Sequence, residues 1–159
     1  MLFHAERLIG VKDDLCEVVR LADTILTPKG IHTRVQEGLR TPERQAQYVA
    51  NGTSWTLNSR HLTGHAVDLV TMVDLDKDGK IEIEELYSWQ LAFQVAAAMK
   101  MAACQLNIPI IWGGCWDRTI AEIRDPESAM ADYVARRKKR GLRANVDGPH
   151  YELAKSKYP

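Results

Sequence analysis

The sequence predicts an α+β fold in which a single small antiparallel sheet packs against helices. Segments with the apolar spacing of amphipathic helices are mixed with short β-branched runs, an order typical of that class. The chain has 159 residues, which is enough for one hydrophobic core and too few for two domains of ordinary size. We therefore expect one domain that spans residues 1–159.

The first half of the chain contains two predicted helices and two predicted strands. Apolar residues between Val11 and Ile25 recur at helical spacing, and Thr41 followed by Pro42 is typical of a helix start. A nearly continuous apolar run around Asp68 is typical of a buried strand. The predicted elements are a helix over about 13–26, a strand over 32–39, a helix over about 42–51, a loop over 53–64 and a strand over 66–73.

The second half contains the predicted core helix. Two adjacent apolar stripes run from Ile83 to about Leu106, so we expect one long helix in the middle of the domain. Pro109 marks the strand that follows as an edge or an end. The remaining predicted elements are a strand over 108–112, a helix over about 126–140 and a strand over 150–153.

The composition excludes several classes of protein. Lys and Arg together number 21, as do Asp and Glu, so no net charge attracts nucleic acid. No segment reaches the roughly 18 apolar residues that a transmembrane helix needs. Residues 1–7 lack the basic region and apolar core of a secretory signal, so we expect the protein to start in a cytoplasm. We also expect a monomer.

Two histidines and two aspartates stand where they suit a metal site. Asp68 lies inside an apolar strand, and a buried carboxylate needs a cation, a metal or an arginine beside it. His61 precedes it by seven residues, and Asp147 stands three residues before His150 with a Gly-Pro turn between them. Two histidines and one carboxylate form the open ligand set that catalytic zinc favours, and a second carboxylate could take a proton from water. On the residues alone, the alternative to a metal site is that both histidines have purely structural roles.

These stretches resemble the signatures of a known peptidase family. Residues 59–68 resemble the SxHxxGxAxD signature, and residues 147–152 the DxPHxE signature, of the VanY-like D,D-carboxypeptidase and L-alanyl-D-glutamate peptidase family of zinc peptidases. Residues 36–45 resemble its (S/G)xRTxxxQ segment, and residues 112–116 resemble its WGGxW. The four motifs occur in the family's order over nearly the whole chain. The tailed-phage endolysins of the family are the most similar.

The resemblance implies a fold, a reaction and a set of residue roles. The fold would be Hedgehog/DD-peptidase-like, and the reaction would be hydrolysis of the L-alanyl-D-glutamate bond in peptidoglycan stem peptides by a phage endolysin. His61, Asp68 and His150 would bind zinc. Asp147 would act as the general base, and Arg40 would stabilise the carbonyl oxygen as it becomes an oxyanion. The enzyme would wait in the host cytoplasm until lysis and then act on the cell wall, without a separate cell-wall-binding domain.

Three further residues near these motifs are candidates for substrate binding. Ser59 either hydrogen-bonds substrate or caps a turn. Trp112 and Trp116 either line the substrate cleft or belong to the core. His65 is not expected to be a fourth ligand, because a catalytic metal needs an open position.

Residues 74–85 fit the twelve-residue EF-hand calcium loop, with a glycine at its sixth position. The expected ligands are Asp74, Asp76, Asp78, the Lys80 carbonyl, Glu82 through a water, and both oxygens of Glu85. The loop begins six residues after Asp68, so calcium would join the ligand-bearing strand to the core helix and activate the enzyme. Calcium-regulated phage peptidases of the family are similar in this respect. The alternative is a solvated acidic turn that caps the helix.

Residues 135–143 carry six positive charges in nine residues of an otherwise neutral chain. The segment from Arg136 to Arg143 would attract anionic polymers of the cell envelope, and salt would weaken that attraction. The alternative is a solvated helix face that ends at a glycine.

The residues alone are also compatible with two other functions. A D,D-carboxypeptidase or dipeptidase of the same fold would use the same ligand spacing. A calcium-binding or zinc-stabilised module without catalysis would use the metal sites, but it would have no need of a base such as Asp147 beside an open metal position.

Overall fold

The computed structural model describes residues 1–159 and contains one five-stranded sheet and five α-helices. The strands are β1 (Leu2–Phe3), β2 (Thr33–Glu37), β3 (Ala66–Thr71), β4 (Ile110–Trp112) and β5 (His150–Leu153). The helices are α1 (Asp13–Leu26), α2 (Pro42–Ala50), α3 (Ile83–Leu86), α4 (Trp89–Leu106) and α5 (Pro126–Lys139). None of them has the length and apolar character that crossing a lipid bilayer requires.

The sheet has the strand order β1-β2-β3-β5-β4, so β3 lies at its centre. The pairs β2–β3, β3–β5 and β5–β4 are antiparallel, whereas β1 pairs with β2 in parallel. The α+β class is confirmed, but the prediction of an antiparallel sheet is wrong because the sheet is mixed. A strand as short as Leu2–Phe3 has no periodicity to detect, and it forms only because the distant β2 offers a free edge.

The predicted core helix is two helices in the structure. α3 is a single turn, and Tyr87 and Ser88 separate it from α4. Ser88 has an extended backbone (φ −58°, ψ 121°). The Ser88 carbonyl accepts from the Ala92 amide at 2.9 Å, so Ser88 is the N-cap of α4. The prediction of one helix over 83–106 is wrong because the apolar stripes continue across the break, and periodicity alone does not detect a cap.

The main core lies where α1 and α4 pack against each other and against the sheet. The buried face of α4 consists largely of alanines, which let the neighbouring elements approach closely. Each buried Leu or Val of this core contributes about 1.5–3 kcal/mol to folding. The fully buried larger side chains include Leu15, Val18, Leu26, Met99, Ile110 and Leu153. The central strands are therefore held on a rigid base.

A glycine turn after β4 holds the segment that leads into β5. The Gly113 amide donates to the His150 carbonyl at 2.9 Å, and the Gly113 carbonyl accepts from the Asp147 amide at 2.9 Å. A Cβ atom on Gly113 would lie 2.2 Å from the Asp147 carbonyl oxygen. Only glycine permits this approach, so the Trp112-Gly113-Gly114 sequence fixes the position of the 147–150 turn.

Replacing Gly113 with alanine should destabilise the protein, because the new methyl group would displace the Asp147 backbone. Overpacking of this kind costs about 1–3 kcal/mol. Gly30→Ala is the matched control, since no atom lies within 4 Å of its added Cβ and only its left-handed backbone (φ 71°) opposes a side chain. Urea unfolding measures both variants. A Gly113→Ala protein as stable as Gly30→Ala would contradict this role of the turn.

Candidate active site

Three strands place acidic and imidazole side chains in one row across the sheet. Asp68 of β3 stands opposite Glu37 of β2 and opposite His150 of β5. Directly opposed residues of antiparallel strands have Cβ atoms roughly 4.5–5.5 Å apart, so the three side chains meet on one face. An irregularity of register between Val35 and Glu37 bends the end of β2 at this point.

His61 reaches this row from a 3₁₀ turn at Arg60–Thr63. The Ser59 side chain caps the turn by accepting from the His61 amide at 3.3 Å. Gly64 ends it with φ 69°, and a Cβ there would lie 2.1 Å from the Gly10 carbonyl oxygen. Glycine is therefore required to bring His61, a buried side chain, up to the sheet.

Three candidate ligand atoms converge at the end of the row. His61 Nε2 lies 3.2 Å from Asp68 Oδ1, His150 Nδ1 lies 3.1 Å from the same oxygen, and the two nitrogens are 3.3 Å apart. The three atoms are close enough together to hold one metal ion. His65 lies outside this group, and its ring contacts Thr63 Oγ1 at 2.7 Å.

Outer hydrogen bonds orient both imidazoles toward this point. His61 Nδ1 lies 2.8 Å from the Gly38 carbonyl, which only accepts, so Nδ1 carries a proton and Nε2 is the nitrogen that faces Asp68. His150 Nε2 lies 3.0 Å from the Glu152 carboxylate, which leaves Nδ1 to face Asp68. Such outer partners are typical of histidines that bind metals. The donor set of two nitrogens and one carboxylate oxygen thus fits a zinc ion.

The electrostatics of the group favour a positive charge beside Asp68. Burial by itself would raise the pKa of Asp68, but hydrogen bonds from His150 and His61 hold that pKa far below its usual range. Burial by itself would lower the pKa of His150, but hydrogen bonds to Asp68 and Glu152 raise it to about 10. Asp68 is therefore ionised, and its surroundings supply the cationic charge that a buried carboxylate needs.

Arg40 stands beside the ligand group and is itself buried. Its Nη2 donates to Glu37 Oε2 at 2.5 Å and lies 3.8 Å from Asp68 Oδ2, while Nη1 donates to Gln45 Oε1 at 2.6 Å. The Tyr48 ring covers the guanidinium at 4.7 Å from its centroid. Arg40 is thus fixed between β2, β3 and α2, with its Nε left without a partner in the protein.

A cleft of about 570 Å³ opens over these residues and includes Asp147. The Asp147 residue reaches solvent there, yet the cleft walls desolvate its carboxylate and raise its pKa, and the negative charge of Asp68 adds to the rise. The electrostatic influence of His150, His61 and Arg40 opposes this rise. The structure therefore places Asp147 beside the ligand group without making it part of that group.

The residues predicted to contact substrate differ in their placement. Ser59 and Trp116 line the cleft. Trp112 does not, because it is buried in the core with its Nε1 donating to the Gly148 carbonyl at 2.8 Å. The substrate-binding prediction for Trp112 is therefore corrected to a core role, which suits a residue inside a strand that lies next to β5.

Sequence reasoning missed the residues that hold the site together. Glu37 and Gln45 fix Arg40, and the carbonyl of Gly38 orients His61. Glu152 orients His150, and the alternation of side chains along β5 was a signal for it, since residues two apart share a face. The pairing of Glu37 with Asp68 depends on strand register, which no local pattern reveals.

The acidic loop at 74–85 brings its carboxylates into two overlapping groups. Ligand atoms within 4.8 Å of one another come from Asp74, Asp76 and Glu85 in one group and from Asp76, Asp78 and Glu82 in the other. Backbone amides of the loop donate to several of these carboxylates, as when Gly79 donates to Asp74 Oδ2 at 2.9 Å. An EF-hand with a helix on each side is absent, because β3 precedes the loop and the one-turn α3 follows it.

The basic segment forms the exposed end of α5 and the residues after it. Arg136 pairs with Asp117 at 2.9 Å, whereas Arg137 lines the cleft. The attraction of Arg136–Arg143 to anionic envelope polymers stays a prediction.

Comparison with known proteins gives one consistent family. Residues 3–154 match the family model described as phage L-alanyl-D-glutamate peptidase. The L-alanyl-D-glutamate peptidase of Escherichia phage T5 is 30% identical over 151 residues, which cover 93% of this chain and 92% of that protein. The crystal structure of the Serratia marcescens L-Ala D-Glu endopeptidase ChiX is similar with a TM-score of 0.66 and 34% identity, covering 100% of this chain and 94% of that one. The resemblance drawn from the four motifs is thus confirmed, and the chain belongs to the phage L-alanyl-D-glutamate peptidase family.

Proposed function

We propose that this protein is a zinc-dependent endopeptidase that hydrolyses the L-alanyl-D-glutamate bond of peptidoglycan stem peptides during phage lysis. Residues 1–159 would form one catalytic domain. The proposal depends most on the convergence of His61 Nε2, Asp68 Oδ1 and His150 Nδ1 in a cleft that also contains Asp147. Membership of the family supports the choice of bond.

The proposed zinc ligands are His61, Asp68 and His150. When bound, zinc would polarise the scissile carbonyl and lower the pKa of a water, which is the chemistry that amide hydrolysis needs. Gly38 and Glu152 hold a proton on the outer nitrogen of each imidazole, so that His61 Nε2 and His150 Nδ1 are the nitrogens that would bind the metal. With three protein ligands, one position is left for substrate or water.

Asp147 is the proposed general base. It would take a proton from the attacking water and return it to the nitrogen of the leaving amine. The raised pKa of Asp147 makes its carboxylate a stronger base than an ordinary aspartate, and this brings it closer to the pH at which the enzyme works.

Arg40 is proposed to oppose the negative charge that develops on the carbonyl oxygen. Its unpartnered Nε is a buried donor, and the whole guanidinium is held rigidly at the cleft. Glu37 offsets part of its charge, so its contribution should be smaller than that of an unpaired arginine. Ser59 and Trp116 would contact the substrate from the walls of the cleft.

We further propose that residues 74–85 bind calcium through the Asp74, Asp76, Asp78, Glu82 and Glu85 side chains and the Lys80 carbonyl. The carboxylates of the loop repel one another, and a bound cation would balance them. The coordinating oxygens are of the hard type that calcium prefers.

Contacts lead from this loop to the proposed base. Thr71 Oγ1 of β3 donates to the Glu85 carbonyl at 3.4 Å. Tyr87, directly after α3, lines the cleft, and it also lines a second hollow together with Trp89 and Asp147. The Trp89 ring packs so closely on Gly148 that a Cβ there would lie 3.0 Å from it. Calcium would thus order α3 and the start of α4 against the turn that carries Asp147.

Mass spectrometry of digested Gram-negative sacculi tests the proposed bond. With zinc and calcium present, we expect stem peptides with a new amino terminus at D-Glu. Loss of only a terminal D-Ala would instead identify a D,D-carboxypeptidase. Intact sacculi, with both metals bound to the protein, would favour the non-catalytic binding module.

Asp147→Asn should lower kcat by about 10²- to 10⁴-fold while the bound zinc content is unchanged. The amide keeps the shape of the carboxylate but has no basicity, and Asp147 lies outside the ligand group. Asp132→Asn, an exposed change on α5, is the matched control and should keep full activity. Zinc lost together with activity would make Asp147 a metal-site residue and contradict its role as base.

Asp76→Ala combined with Asp78→Ala should abolish the response to calcium. In the wild-type protein, calcium should raise both the thermal unfolding temperature and the rate of hydrolysis, because it removes the repulsion within the loop. The double variant should show neither effect, whereas Asp132→Ala should show both. If activity and zinc affinity are the same in the double variant and the wild type at saturating calcium, calcium does not order the site.

A further inference from the structure

The cationic side chains of the cleft differ in the protein groups that already pair with their charge. Arg40 and Arg44 both pair with Glu37, at 2.5 Å and 3.1 Å. Arg60 Nη2 donates to two backbone carbonyls of the C-terminal segment, at 2.9 Å and 2.7 Å. Arg60, Arg137 and Lys155 have no ion-pair partner among the described contacts. Because carbonyls already engage Arg60, the two cleft cations left for a charged ligand are Arg137 and Lys155.

Arg137 is the better organised of these two. It is half-buried on α5, and its Nε donates to the Arg143 carbonyl at 2.8 Å, which fixes the plane of the guanidinium. Both of its Nη groups have no partner within the protein and are free to bind a ligand. Arg136, the residue before Arg137, is not free in this way, because two of its nitrogens donate to Asp117. Lys155 is exposed and has no comparable support.

Aromatic rings lie between Arg137 and the ligand group of His61, Asp68 and His150. The Trp116 ring lies against the ring of His150, with centroids 5.1 Å apart, and its Nε1 donates to the Asn145 carbonyl at 3.0 Å. Trp116, Tyr133 and Arg137 line both the main cleft and an adjoining hollow of about 370 Å³. Arg137 thus lines the cleft together with Trp116, which closely follows β4 in the chain, whereas Arg40 is held by Glu37 of β2 and Gln45 of α2.

We propose that Arg137 binds the free α-carboxylate of the D-glutamate residue on the leaving side of the scissile bond. This inference rests on the proposed function. D-Glutamate continues the stem peptide through its γ-carboxyl group, so its α-carboxylate stays charged close to the bond that breaks. A fixed guanidinium with two free Nη groups suits bidentate binding of a carboxylate. Arg40 is unsuited, because Glu37 already occupies it.

The assignment also gives the substrate a direction in the cleft. The D-Glu half would lie along Trp116 and Arg137, toward β4. The L-Ala half and the attached sugar would lie toward α2, where the loop at 53–59 presents hydroxyl and amide groups and the exposed Trp55. Arg137 is then a residue that determines specificity and takes no part in the proton transfers.

The test compares two soluble muropeptides that differ only at this group, one with D-glutamate and one with D-isoglutamine, whose α-carboxylate is an amide. The wild-type enzyme with zinc and calcium should prefer the carboxylate by about 10- to 100-fold in kcat/KM. Arg137→Gln should remove this preference by slowing only the D-glutamate substrate. Arg137→Lys should keep part of it, because the charge remains and the fork is lost. Lys155→Gln, the matched loss of another cleft cation without an ion-pair partner, should keep the wild-type ratio.

Several results would overturn the assignment. They are a wild-type enzyme that cleaves both substrates equally, an Arg137→Gln enzyme that keeps the preference, or a preference that Lys155→Gln removes. A third muropeptide, with L-lysine in place of the diamino acid after D-glutamate, separates the two carboxylates of the stem peptide. If the effect of Arg137 follows that residue instead, the D-glutamate assignment is wrong. A wild-type enzyme that cleaves none of the muropeptides would contradict the proposed function itself.

Discussion

The buried carboxylate of Asp68 is the constraint on which the rest of the site depends. An aspartate in the central strand of a sheet is stable only if positive charge or hydrogen-bond donors surround it. His61, His150 and Arg40 all approach it, each from a different element. Burial alone would raise the pKa of Asp68, but hydrogen bonds with His150 and His61 lower it, so the carboxylate is ionised and would offer a negative charge to a metal.

Both regular strands and irregular turns place the side chains that surround Asp68. The antiparallel pairing of β3 with β5 places Asp68 directly opposite His150, so the register of the strands fixes this pair. His61 and Asp147 come from turns. Gly64 in the first turn, and Gly113 beside the second, each approach another backbone segment too closely for any side chain. The core of α1, α4 and the sheet keeps these parts in place. Positions so constrained keep these side chains preorganised, as the proposed metal-assisted hydrolysis would require.

Much of this arrangement could be predicted from the sequence. An aspartate inside an apolar run signals a paired carboxylate, and the motifs around His61 and His150 indicated which residues would join it. The break at Ser88 could not be predicted, because a helix cap does not interrupt the apolar stripes on either side of it. The strand at Leu2–Phe3 could not be predicted either, because two residues are too few to show an alternation of apolar and polar side chains. The burial of Trp112 and the freedom of Arg137 are consequences of tertiary packing, which leaves no trace in local spacing.

The location of the metal tests the account most directly. Crystals grown with zinc and measured at the zinc absorption edge should give one strong anomalous peak. The peak should lie about 2.0–2.2 Å from His61 Nε2, His150 Nδ1 and an oxygen of Asp68. A peak coordinated by other residues, or no peak at these three atoms, would contradict the claim that Asp68 organises a zinc centre.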